Sequence, residues 1–396
     1  MTHVVRSGAE AEEIARKLAA IYAEEAAERD RDRRLPHAEL DALSASGLLG
    51  ITVPARFGGA EVPVTTVAEV FRLLATADAS LAQIPHSHFV FLEALRLQGT
   101  EDQQARWFAA ALDGARFANA QSERSGRTVV DDTTSVRRRP DGEYVLTGEK
   151  FYSTGALFAH WLVVRAVLEQ PGEPRPKVLA YVPRDAPGVT VTDDWDGMGQ
   201  RTTASGTVRL DEVPVTSEQL VPYTPIFAGP TTYGARAQVL HAALDVGIAR
   251  GALTAATDLV GRARPWFEAG VETAAEDPLL VQQAGELEIA VRGAEALVRE
   301  AAVAIDAAES DRTDATTAGA SVATAVAKVA AARASIAVSS ALFDLGGTRS
   351  AADRLNLSRY WRDARTHTLH DPERWKVQHI GRWTLTGAPP PRHGLL

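Results

Sequence analysis

Apolar residues recur with helical spacing along roughly the first 113 positions. In AEAEEIARKLAAIYAEEAAERD, Ile14, Leu18 and Ile21 fall near one helical face, with alanine between them. PHAELDALSASG predicts a second helix that stops at Gly47, and LLGITVPARFGG is a short apolar segment broken by Pro54 and Gly58-Gly59. Helical spacing returns in TTVAEVFRLLATADASLAQ, FVFLEALRLQG and TEDQQARWFAAALDG, the last with Thr100 as its N-cap. From about Ala115 to Val221 the period becomes two. TSVRRR, EYVLTGEKFYST, HWLVVRAVLE, KVLAYVP, GVTVT and SGTVRLDEVPV read as short strands, with turns at Asp141-Gly142 and Pro171-Gly172. This pattern predicts an antiparallel sheet or small barrel. Beyond about Tyr233 come three long Ala-rich helical runs, suited to close helix approach in a bundle. The expected fold is mainly α with a β domain: an N-terminal helical domain (1–113), a central antiparallel β domain (114–222) and a C-terminal helical bundle (223–396).

Composition narrows the function classes. The chain has 396 residues, 45% hydrophobic and 23% charged, a globular balance with room for more than one core. A net charge of -9 argues against a nucleic-acid surface, which needs clustered lysine and arginine. Zero cysteines exclude disulfides, thiolate metal sites and cysteine nucleophiles. The N-terminus is acidic and lacks the apolar core of a signal peptide, and no run of about 18 apolar residues is present. The expectation is a cytoplasmic protein with no membrane span.

Five stretches carry candidate chemistry, each with a plainer alternative. NAQSERSG (119–126) gathers amide, hydroxyl and carboxylate groups suited to a polar heterocycle, or is an ordinary polar loop. GEKFYSTGALFAHW (148–161) sets Ser153 and Thr154 among aromatics, either to meet the edge of a planar ligand or to end a strand. Trp195 stands in a polar loop, to pack on a ligand ring or to cover a core edge. Gly346-Gly347 followed by Arg349 suits backbone approach of a phosphate with an arginine to hold it, or is a helix C-cap with a solvated side chain. Finally, RYWRDARTHTLHDPERWK (359–376) places His367 and His370 a helical turn apart if residues 354–370 are helical. Pro372 disfavours helix at Asp371, so the helix should end near His370. A histidine there is favoured as the cation by the helix dipole, or it is an exposed polar helix end.

A metal site built from His86, His88, His367 and His370 is a rival, but no histidine follows a glutamate by three positions and HExxH is absent, so no metal is expected. A GxSxG elbow, a Walker A loop and a GxGxxG fingerprint are also missing.

Taken in order, FANAQSERSG, GEKFYSTGA, MGQRTTASGTVRLDEVPV, FDLGGTRS and WRDARTHTLHDP resemble the acyl-CoA dehydrogenase superfamily over nearly the whole chain. The resemblance implies a C-terminal four-helix bundle, a homotetramer, and a flavin between β domain and bundle completed by a neighbouring subunit. The family's glutamate base aligns with Asp371, one methylene shorter and followed by proline. Meanwhile ARTHTLHDP resembles the flavin-dependent monooxygenase branch, the group of dibenzothiophene monooxygenase and the sulfur-acquisition oxidoreductases. That branch implies reduced FMN (FMNH2) from a separate NAD(P)H:flavin reductase, with FAD as an alternative. It also implies O2, a C4a-hydroperoxide, and oxygenation of a small organosulfur compound in sulfur metabolism. By position, Asn119, Ser122, Ser153, Thr154 and Trp195 would surround the isoalloxazine. Gly346, Gly347, Arg349 and Arg264 would hold the phosphate. His370, Ser153 and His88 are the catalytic candidates. The alternatives are an acyl-CoA dehydrogenase with Asp371 as base, and an N- or aromatic hydroxylase of the same fold.

Overall fold

A computed structural model describes residues 2–140, 142–170 and 175–396. Asp141 and Pro171-Gly172, expected as turn residues, lie outside the described residues. The opening helices are α1 (Gly8–Glu24), α2 (Ala26–Arg31), α3 (His37–Ala45), α4 (Val64–Ala77), α5 (Ala79–Gln83), α6 (His86–Gln98) and α7 (Glu101–Leu112). In α1 the buried stripe is Ala11, Ala15, Leu18 and Tyr22, while Ile21 is 51% exposed, against the expected face. Positions 11, 15, 18 and 22 alternate steps of four and three and so share one side. Ile21 lies about 100° away from Tyr22. Thr100 caps α7 as expected, in a reciprocal box with Gln103.

The strands are β1 (Phe117–Ala120), β2 (Ser135–Arg138), β3 (Tyr144–Lys150), β4 (Trp161–Leu168), β5 (Lys177–Pro183), β6 (Val189–Thr192), β7 (Thr207–Val215) and β8 (Leu220–Pro222). They form one sheet in the order β6-β7-β3-β2-β4-β5-β8, with β1 on β4. The pairing is antiparallel in the main, but β1 and β2 both run parallel to β4 along the same edge. The parallel steps follow from the long excursions that separate these strands, since a tight turn joins only antiparallel neighbours. β1 ends at Ala120, so the stretch expected as a polar loop begins inside a strand.

The C-terminal part comprises α8 (Tyr233–Val260), α9 (Pro278–Ser310), α10 (Asp314–Gly346), α11 (Ser358–His367) and α12 (Glu373–Thr386). α8 packs against α4, α9 and α10 and is buried on nearly all sides, with Leu240, Leu244 and Ile248 in the shared core. Alanines on facing helices permit this close approach. Against expectation, α8 and the stretch Asp314–Ala351 are long and apolar enough by composition to cross a membrane. In this fold 83% of the α8 window is buried inside the protein, which accounts for its composition without lipid. α10 ends at Gly346, and Gly347 follows with φ 58°, a conformation that favours glycine. α11 ends at His367, three residues before the expected end, so His370 stands in the turn beyond the helix.

Candidate active site

Two groups of polar side chains meet where the β domain faces the helices. The first gathers around Tyr152. Leaving β3, the chain turns sharply through Tyr152 (φ 55°) and Gly155 (φ 77°), which drives Ser153 fully inside. A Cβ on Gly155 would lie 3.2 Å from Ile84, so glycine is what lets this turn press against the start of α6. The Asn119 amide donates to the Tyr152 carbonyl at 3.2 Å, and the Trp195 indole lies edge-on to the Tyr152 ring. Ser122 joins through its carbonyl, which accepts from the Phe151 N–H at 2.8 Å. The Thr154 hydroxyl bonds Ser205 at 2.8 Å, Ser205 bonds Thr203, and Thr203 donates to the Gln200 carbonyl. That same carbonyl accepts the Trp195 indole N–H at 2.9 Å, so the tryptophan is fixed in place. The Ser153 hydroxyl is buried with no partner among the described residues.

Behind this group a buried ion network anchors the loop after β1. Lys150 is fully buried and donates to Glu123 at 2.7 Å, to the Gln121 carbonyl and to Asp132. Arg165 and Lys177 also pair with Asp132. Burial alone would raise the Glu123 carboxyl, but the Lys150 bond and two Thr133 bonds hold it well below the usual carboxylate range.

The second group is made of histidines. His86 from α6 stacks on His241 of α8, ring centroids 3.8 Å apart. His241 Nδ1 meets His367 Nε2 at 2.9 Å, and the His370 ring lies 4.2 Å from that of His241. His367 Nδ1 donates to Asp245 at 2.5 Å, and Lys328 from α10 donates to the other Asp245 oxygen at 2.6 Å. His370 keeps 40% of its side chain exposed and faces Asp371, whose carboxylate is held by buried Lys376. Burial would raise the Asp371 carboxyl, but the His370 hydrogen bond and the Lys328 and Lys376 charges hold it far below the usual range. Burial pushes His86 down to about 3 and also lowers His241 and His367. Among the described residues no three His, Asp or Glu side chains are arranged to hold a metal ion.

Hydrogen bonds between the loop after Trp195 and α11 join the groups. The Gln200 N–H donates to Asp363 of α11, four residues before His367 on the next turn. His88 lies apart from the histidine cluster. It is 1% exposed, its Nε2 meets the Leu49 carbonyl at 2.7 Å, and its Nδ1 faces the Phe117 N–H at 3.4 Å. Both nitrogens are therefore committed to backbone, and burial lowers His88 to about 4. Its neighbour His86, which the sequence reading considered only as a metal ligand, is the one in the cluster. Gln83 and Gln238, one turn before His86 and His241, each bury an amide oxygen without a partner among the described residues.

Gly346, Gly347, Arg349 and Arg264 sit elsewhere. Arg349 is exposed and donates to the Arg262 carbonyl at 2.8 Å, which brings the segment after α10 beside the one carrying exposed Arg264. Both lie beyond the C-terminal end of α8. At about 1.5 Å per residue this is roughly 30 Å from His241 along the helix. One chain therefore does not bring both groups to the same small ligand.

Residues 9–115, 118–213 and 239–372 match the N-terminal, middle and C-terminal domains of acyl-CoA dehydrogenase, respectively. Dibenzothiophene monooxygenase of Rhodococcus qingshengii is 33% identical over 390 residues, 95% of this chain and 93% of that protein. The probable FMNH2-dependent monooxygenase SfnC of Pseudomonas putida is 33% identical over 388 residues, 95% of each chain. The crystal structure of FMN-bound TdsC from Paenibacillus sp. A11-2 superposes with TM-score 0.92 at 34% identity, covering 98% of this chain and 100% of that one. With helices, sheet and helices in this order and matched from end to end, the chain belongs to the acyl-CoA dehydrogenase family.

Proposed function

We propose that this protein is an FMNH2-dependent monooxygenase that places one atom of O2 on a small organosulfur compound. The observation that carries this reading over a dehydrogenase is the state of Asp371. A base that removes an α-proton must be free to accept it. Asp371 is buried, ion-paired with Lys376 and held far below the usual carboxylate range, so it is a poor acceptor.

The residues present fit an isoalloxazine ring. The orphaned Ser153 hydroxyl offers a buried hydrogen bond, Asn119 and Thr154 border the same turn, and the fixed Trp195 indole supplies a flat apolar wall. Reduced FMN, when bound, supplies two electrons and reacts with O2. The chain's own part is to hold and shield. Ser153 positions the ring edge, the His370 imidazole presents a proton to the reacting side, and the buried surroundings keep bulk water away.

The partners follow from the same proposal. A separate NAD(P)H:flavin reductase supplies the reduced flavin, a reading supported by the likeness to SfnC, itself a probable FMNH2-dependent monooxygenase. Arg349, Arg264 and Gly346-Gly347 hold the phosphate of a flavin whose ring sits on a second copy, which their distance from His241 supports. The assembly is a homotetramer, and exposed apolar residues such as Leu279 and Ile289 on α9 and Leu385 on α12 supply contact surface. Residues 1–113, 114–222 and 223–396 act as the three domains, in the cytoplasm.

The test is direct. Protein loaded with FMN should oxygenate a sulfur compound when reductase and NAD(P)H are added. Its flavin should not bleach when acyl-CoA is added under argon. Bleaching by acyl-CoA alone would establish the dehydrogenase instead.

A further inference from the structure

The histidine cluster continues inward from half-exposed His370 to fully buried His241, His367 and Asp245, and its hydrogen bonds have a fixed direction. Asp245 accepts from Lys328 on one oxygen and from His367 on the other. A carboxylate has only lone pairs to offer, so His367 Nδ1 carries a proton. Neutral His367 then presents a lone pair at Nε2, and His241 Nδ1, 2.9 Å away, must donate to it. That leaves His241 Nε2 with a lone pair as the outer end of the series, in the ring that touches both His86 and His370. His86 is set aside from this traffic, because its Nε2 donates to the Ala237 carbonyl at 2.8 Å.

We propose that His241, His367 and Asp245, charge-balanced by Lys328, form a one-proton relay, neutral at rest, that takes up a proton from His370 and returns it within the turnover. The proton enters at His241 Nε2. The His241 Nδ1–H bond breaks as the His367 Nε2–H bond forms, and the charge comes to rest on His367 beside Asp245. Asp245 stays ionised and stabilises that imidazolium, while its lysine partner keeps the resting site neutral. The titratable groups facing the series are His86 of α6, Lys328 of α10 and His370 beyond α11, and His370 and Lys328 in turn face the Asp371–Lys376 pair. The Lys328–Asp245 and Lys376–Asp371 pairs are each neutral, so a first proton on the series is an uncompensated buried charge that repels a second one a few ångströms away. The capacity is therefore one. That number suits the reaction, in which FMNH2, O2 and a sulfide give FMN, a sulfoxide and water with no net proton. A group that lends a proton must regain it within the turnover.

These three are positioning residues, and their role at His370 rests on the monooxygenase reading, whereas their protonation states do not. Nitrogen-15 NMR of the flavin-free protein labelled at histidine reads those states. The expected result at pH 8 is the Nδ1–H tautomer for both His241 and His367. Acidification should add one proton shared by the pair. Asp245→Asn should turn His367 to the Nε2–H tautomer. In the FMN-loaded enzyme, Asp245→Asn and His367→Gln should lower sulfur product per FMNH2 consumed at least fivefold and move its pH profile by a unit or more. FMN affinity should stay within twofold. Added imidazole should restore product in His241→Gly. An Nε2–H tautomer at His367 in the wild type, two independent protonations, or unchanged coupling and pH profile in the variants would overturn the relay. If the wild type oxygenates no sulfur compound while the NMR states hold, the functional reading fails and the protonation series stands.

Discussion

The backbone N–H of Gln200 donates to the Asp363 carboxyl at 2.5 Å, tying the loop that fixes Trp195 to the helix that leads to His367 and His370. Burial, with the charge of Asp30 nearby, pushes the Asp363 carboxyl up to about 7 from its ordinary 3.8, although the Gln200 bond and Arg362 oppose this. Asp363 thus keeps its proton when folded at pH values where the unfolded chain loses it. Stability from this group is greatest below about pH 4, falls as pH rises toward 7, and is level above. Asp363→Asn keeps an acceptor for Gln200 and removes the charge. Its melting temperature should exceed the wild type by a few degrees at pH 8, about 1–3 kcal/mol, with the gap closing as the pH falls to 4. A gap independent of pH would refute the assignment.

Ser153→Ala removes a hydroxyl that bonds nothing among the described residues. The flavin-free variant should match the wild type in thermal stability to within about 0.5 kcal/mol, or exceed it slightly. Titration calorimetry should show FMN binding weaker by about 1 kcal/mol, some five- to tenfold. Equal FMN affinity would mean that this hydroxyl does not face the flavin.

Lys150→Met leaves Glu123 and Asp132 buried without their shared lysine. Removing one partner of a buried pair costs about 3–5 kcal/mol. Denaturant unfolding should report that loss. The freed loop should also expose its amides around Ser122 to hydrogen exchange. A loss under 1 kcal/mol would show that Arg165 and Lys177 alone hold the loop.

Much of this layout was legible in the sequence because it is local. Thr100 caps its helix within four residues, and the period-two stretches became strands. Phe151, Ser153 and Thr154 sit where a strand meets a turn. The rest depends on distant partners. The histidine relay is assembled from α8, α10 and α11, and no local pattern joins His241 to His367. A faint signal existed: Asp245 and Lys328 each stand as isolated charges within apolar helical runs, the mark of a buried pair of opposite sign. The metal alternative included His86; two positions apart on α6, His86 and His88 differ by about 200° round the helix and so face opposite ways, one toward His241 and the other toward Leu49 and Phe117. The end of α11 was set too late because the proline rule marks a boundary only to within a turn.

Arg349 is exposed, so Arg349→Ala should leave thermal stability within about 0.5 kcal/mol of the wild type. If it holds a phosphate across a subunit boundary, FMN affinity should drop about tenfold while riboflavin affinity is unchanged. Equal losses for both ligands would remove Arg349 from the phosphate site.

The most direct measurement is the fate of oxygen. The protein is supplied with FMNH2 by a reductase under 18O2, with aromatic and aliphatic sulfides, sulfones and sulfinates as substrates, and the products are weighed by mass spectrometry. The account predicts one 18O atom in a sulfur product for each oxygenation. That yield should fall in His370→Ala as peroxide rises. No labelled sulfur product from any of these compounds, with reduced flavin simply returning all its electrons to O2 as peroxide, would contradict it.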